Sequence, residues 1–193
     1  MKRFALALPA LLLADAALSC TPVRPMAATI DTVKTLNSRQ SSILTSPNQH
    51  FFLKLVPSKW ALEKGRLVKK RDSYGLAFEA MPFGQIKQLW SFKHWEGIKG
   101  KNRMYLANSG LNLITFNNTV RSNQDKSAVV TYYKGKVGKA YSPIDLGVTQ
   151  PIRKSTCGTG LWANSLLTTN LNIYTINNVR WVVNTQNMTI KRI

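Results

Sequence analysis

The feature that most constrains this chain is the shortness of its apolar runs. From about Gln49 onward they come as Phe51-Phe52-Leu53, Leu76-Ala77-Phe78, Leu89-Trp90-Ser91-Phe92, Leu111-Asn112-Leu113-Ile114, Val129-Val130-Thr131-Tyr132-Tyr133, Leu171-Asn172-Ile173-Tyr174-Thr175-Ile176 and Val179-Arg180-Trp181-Val182-Val183. Most alternate with polar residues or are β-branched and aromatic, the composition of half-buried strands. Between them stand turn formers: Lys64-Gly65, Ser73-Tyr74-Gly75, Asn108-Ser109-Gly110, Asn117-Asn118, Lys134-Gly135 and Asn177-Asn178. No window longer than about ten residues holds a helical period. The expected fold class is therefore all-β, a sandwich or closed barrel of many short strands.

The N-terminus is of another kind. Met1-Lys2-Arg3 is positive, Phe4 to Ala14 is apolar apart from Pro9, and Ala17-Leu18-Ser19 supplies small residues before Cys20. Such zoning marks residues 1–19 as a secretory signal, and the apolar run stops at Asp15, short of the roughly 20 residues that span a bilayer. Cys20 admits a second processing route, acylation as a lipoprotein with membrane anchoring through that residue. The expected localisation is secreted or cell-surface. Residues 20–48, rich in Thr, Ser, Pro and Asn, read as a linker or flexible arm, and residues 49–193 as one binding domain.

Only Cys20 and Cys157 occur, so at most one disulfide can form and the core must supply the stability. Zinc-ligand spacing and a phosphate-binding Gly-Lys-Ser/Thr motif are both missing, so no metal or cofactor is expected. The chain has two histidines, His50 and His94, which leaves Cys157 with His94 as the remaining nucleophile and base pair. A cysteine with no catalytic role is the reading taken, and the chain is not expected to be an enzyme. Asn117-Asn118-Thr119 and Asn187-Met188-Thr189 match the N-glycosylation pattern, which matters only in a eukaryotic host.

Charge narrows the partner. With 27 Lys and Arg against 8 Asp and Glu, the net charge of +19 attracts polyanions. Lys64, Arg66, Lys69, Lys70 and Arg71 crowd one stretch beside Trp60 and Tyr74, and Lys99, Lys101 and Arg103 form a second group. Cations with aromatics beside them make an anion-binding surface, suited to phosphates, sulfates or stacked rings.

Gln88-Leu89-Trp90-Ser91-Phe92-Lys93 contains a Q-x-W-x-F signature, followed by Gly97-Ile98 and then Asn102 to Leu111. This succession resembles the passage between repeats in ricin-type lectins of the ricin B-chain kind. Ser165 to Tyr174 leading to Trp181 resembles a repeat end in the same family. Together these stretches cover about a third of the chain. Trp90 and Trp181 lie 91 residues apart, as two closing tryptophans of a threefold repeat of about 45 residues would.

The resemblance implies a β-trefoil of three lobes holding sugar in shallow pockets. A sugar presents a C–H face to an aromatic ring and hydroxyls to amides and carboxylates. On that basis Trp95 is the expected stacking platform, with Asn108, Asn112, Gln88 and Asp72 as hydrogen-bonding candidates, while Trp90 is expected in the core. Lys87-Gln88 stands where the family has Asn-Gln, and only Cys157 remains where the family pins its lobes with disulfides. The expected function is a carbohydrate-binding, lectin-like module directed to an anionic cell or matrix surface, of the sort that serves a partner toxin subunit or an adhesin. The alternative is a cationic nucleic-acid or anionic-lipid binder with no sugar pocket.

Overall fold

The computed structural model describes residues 28–93, 103–154, 158–167 and 170–193. They form a mostly β protein with one α-helix, α1 (Ile30–Asn37). Three four-stranded antiparallel sheets follow one another along the chain. The first joins β1 (Ser42–Thr45), β2 (Phe51–Val56), β5 (Tyr74–Ala80) and β6 (Ile86–Lys93). The second joins β7 (Arg103–Leu106), β8 (Asn112–Phe116), β10 (Val129–Tyr133) and β11 (Lys136–Tyr141). The third joins β13 (Ala163–Leu167), β14 (Leu171–Thr175), β15 (Arg180–Val183) and β16 (Ile190–Arg192).

Within each sheet spatial order is chain order, interrupted by two excursions. A separate hairpin of β3 (Lys59–Glu63) and β4 (Arg66–Arg71) is inserted between β2 and β5. The short β9 (Thr119–Val120), between β8 and β10, pairs with β12 (Gly160–Leu161) just ahead of the third sheet. The hairpins β3–β4, β5–β6 and β10–β11 turn on Lys64-Gly65, Phe83-Gly84 and Lys134-Gly135, and both residues of each pair have positive φ. That is the pattern of a type I′ turn, whose twist matches that of the strands it joins.

The second sheet carries core on both faces. Every residue of β8 is buried, and strand alternation sends its neighbours to opposite sides. Leu113, with Leu106, joins Leu53, Ala77, Trp90 and Phe92 of the first sheet. Ile114 and Phe116, with Tyr105, join Trp162, Leu171, Ile173 and Val183 in a second cluster. A nearly continuous apolar run such as Leu113-Ile114-Thr115-Phe116 is what a strand covered on both sides requires. Two other indoles tie the far side of this arrangement. Trp162 donates to the carbonyl of Asn117 at 2.6 Å, and Trp181 to that of Leu146 at 2.9 Å.

Two expectations are revised here. The stretch 20–48, read as an arm, carries α1 and β1 in its second half. Thr29 caps α1 by accepting the Thr32 N–H at 3.2 Å, Leu36 is buried, and β1 pairs along β2. The Asn37 amide then bonds both backbone groups of Trp60, each at 2.9 Å, which docks the helix on β3. Ile30, Val33 and Leu36 make a sparse stripe, yet an eight-residue helix held by one buried leucine and one amide bridge needs no more. The tryptophan spacing also has another meaning: Trp90 lies on the fourth strand of the first sheet and Trp181 on the third strand of the last. They are not equivalent positions of a 45-residue repeat.

Candidate functional site

A cleft of about 480 Å³ opens between the second and third sheets. One wall is β10 and β11, which supply Tyr132, Tyr133, Lys139 and Tyr141, and the other is the β15–β16 turn, which supplies Asn187 to Ile190. Strand alternation explains the first wall. Tyr132 faces inward, packing its ring 5.9 Å from Phe92, while Tyr133 is exposed and lies under the Lys134 ammonium at 5.4 Å. Burial raises the Tyr132 pKa above its ordinary 10.0, partly offset by a hydrogen bond with Thr115, so this phenol stays neutral at physiological pH.

The floor is fixed by internal bonds. Thr131 Oγ1 accepts the Lys139 N–H at 2.9 Å and donates to the Lys139 carbonyl at 3.2 Å, bridging the bulge between β10 and β11. Buried Asn112 donates its amide to the carbonyl of Gln186, which ties β8 to the β15–β16 turn. Asn187 Oδ1 accepts both the N–H and the hydroxyl of Thr189, at 3.1 and 2.8 Å. Tyr133 and Tyr141 hydroxyls, the Asn187 amide nitrogen and the Lys139 ammonium make no such bonds to other described residues. Among the described residues, the cleft thus offers aromatic faces, neutral donors and one cation, with no carboxylate in its lining.

The candidates named from sequence are scattered. Of those among the described residues, Asn112 alone lies in this cleft. Asn108 belongs to the β7–β8 turn and binds Asn48, accepting its N–H at 2.9 Å and its side-chain amide at 3.0 Å. Gln88 is exposed on β6 opposite Phe78, near the far end of β5, whereas Asp72 precedes β5 and pairs with Lys69 at 3.6 Å. The structure does not bring these two together. Trp95, Lys99, Lys101, His94 and Cys157 lie outside the described residues, as does the side chain of Arg103. Trp90 is buried as expected. Tyr133, Tyr141, Lys139 and Asn187 are not among the candidates named from sequence; their local signal is a tyrosine pair running into Lys134-Gly135-Lys136 and a polar turn in the last hairpin.

The first basic cluster is gathered on β3–β4, and its cations have unequal freedom. Lys69 sits over the Trp60 ring at 5.1 Å, Lys70 pairs with Glu63, and Arg71 lies over Tyr74 at 5.3 Å while donating to the Pro57 carbonyl. Lys64 and Arg66, at the turn, have no acidic partner among the described residues. Comparison with protein-family models, curated proteins and solved structures finds no match to this chain.

Proposed function

We propose that this protein is an exported carbohydrate-binding module that holds a sugar in the cleft between its second and third sheets, while its net positive charge draws it to anionic surfaces. The observation that carries this reading is the cleft lining: exposed Tyr133 and half-buried Tyr141 beside unspent hydroxyl and amide donors. An aromatic face takes the C–H side of a sugar ring, and fixed donors select its hydroxyls. Because the described lining holds no carboxylate, the preferred glycan is one whose own acidic or acceptor groups face Lys139 and Asn187.

The β-trefoil belongs to the same proposal. Its support is the threefold succession of four-stranded units, the strand count of a trefoil. Against it weigh the chain-order pairing within each sheet and the two separate cores flanking the second sheet. The lectin reading rests on the cleft and stands without the trefoil.

A glycan-array profile at physiological and at high salt, with Tyr133→Ala as control, tests this function. Selective binding that survives salt and is lost in the variant supports the cleft. Binding only to polyanions, abolished by salt and untouched by Tyr133→Ala, overturns it in favour of the exposed Lys64 and Arg66 on β3–β4.

A further inference from the structure

The β5–β6 hairpin ends in a turn whose chemistry is poorly matched to water. Phe83 has φ 59° and ψ 27°, Gly84 has φ 74°, and the Gln85 N–H meets the Pro82 carbonyl at 3.4 Å. A type I′ turn prefers Asn, Asp or Gly at the first of these positions, because a bulky L-residue at positive φ crowds its own backbone. Here a phenylalanine holds it with its side chain 100% exposed, between Met81 at 39% and Ile86 at 61%. The other two turns of this kind place lysine at that position. Of these three turns, β5–β6 is the one whose positive-φ position is itself held by an aromatic side chain.

An apolar path leads to that tip. Phe52 and Phe78 stack at 5.1 Å between centroids, directly opposite in register, and by strand alternation Ile86 falls on the same outer face. The surrounding charge says what can cover it. Of the acidic side chains described, Asp31, Glu63 and Asp72 pair with lysines. Asp125 and Asp145 are tied to serines within their own turns, and Glu79 stands cross-strand from Lys87. The excess of cations is therefore left uncompensated on the surface. A second copy of this chain brings the same +19 and is repelled. A bilayer with anionic headgroups accepts both the ring and the charge.

The geometry points to the β5–β6 tip as a membrane-insertion point: Phe83, flanked by Met81 and Ile86, enters the interface of an anionic lipid bilayer, Lys87 beside the tip stays at the headgroups, and the net positive charge of the chain draws it to the surface. This surface is on the first sheet, apart from the cleft between the second and third, so it stands independently of sugar binding.

The test is co-sedimentation of the purified protein with vesicles of phosphatidylcholine containing phosphatidylserine, and of phosphatidylcholine alone. Phe83→Asn creates the favoured turn pair with Gly84, so the fold is retained while affinity for the anionic vesicles falls by about tenfold or more. In Phe83→Trp the added indole is quenched by brominated acyl chains beyond the level of the parent protein. Tyr133→Ala leaves vesicle binding unchanged. Equal vesicle binding by Phe83→Asn and parent overturns the proposal, as does an unquenched indole. A parent dimer in sedimentation equilibrium that Phe83→Asn dissolves also overturns it, by assigning the tip to self-association.

Discussion

The indole of Trp90, on the last strand of the first sheet, donates its Nε1–H at 2.7 Å to the carbonyl of Gly110, in the turn that opens the second sheet. This buried bond joins two sheets that share a core, and the carbonyl has no solvent to turn to if the donor is lost. Trp90→Phe keeps most of the packing and strands the acceptor, an expected cost of about 1–3 kcal/mol. Trp90→Ala also empties space beside Leu53 and Phe92 and is expected to cost about 3–5 kcal/mol. Urea unfolding midpoints, with slopes unchanged, measure both.

Gly110 acts in the same joint from the other side. It has φ 67°, and a Cβ there would collide with the Phe51 ring of the first sheet. Gly110→Ala is therefore destabilising through both backbone and crowding. Since the same residue presents the carbonyl that Trp90 bonds, Gly110→Ala combined with Trp90→Phe is expected to cost less than the two separate losses together. A double-mutant cycle by chemical denaturation reads the coupling, about 0.5–3 kcal/mol for residues in contact. Strict additivity would assign the two residues to independent roles.

The fold class was legible because period-2 alternation and Xaa-Gly turns are local, and Lys64-Gly65 and Lys134-Gly135 turn hairpins where their composition says they should. What was not legible depends on contacts between distant segments. The helix that Thr29 caps is held against β3 by Asn37 bonding Trp60, 23 residues on. Asn108 has the chemistry of a sugar ligand, yet its side-chain oxygen is taken by the Asn48 N–H. Tyr133 and Asn187 come together only when the second and third sheets pack, which no spacing in the chain announces. Asn112 could be picked as a polar residue in an apolar strand, a local sign of the cleft.

Acid stability follows from two turn carboxylates. The Ser142 hydroxyl and N–H, at 2.7 and 2.8 Å, hold the Asp145 pKa below its ordinary 3.8. Burial opposes ionisation of Asp125, but hydrogen bonds from Ser127 and Arg121 outweigh it and lower that pKa as well. With folded values depressed, the stabilisation is complete above the unfolded value near 3.8 and is lost as pH falls through the folded pKa. Melting temperature is thus expected to drop below about pH 4. Asp145→Asn should flatten that drop while lowering stability at neutral pH; an unchanged acid limb would place the sensitivity elsewhere.

Polyanion affinity should divide unequally among the clustered cations of β3–β4. Lys70 already neutralises Glu63, and Lys69 is shared between Trp60 and Asp72, so recruiting either to a phosphate means breaking a bond the hairpin uses. Lys64 and Arg66 sit at a protruding type I′ turn with no acidic partner among the described residues and can meet a phosphate at no such cost. Duplex DNA serves as a probe of uniform charge. Replacing Lys64 and Arg66 together with Gln is expected to reduce the slope of log affinity against log salt by about two, while Lys70→Gln changes it little. Fluorescence anisotropy across a salt series measures the slopes. Equal losses from all three positions would mean that the whole surface acts as a diffuse field, with no privileged place at the hairpin turn.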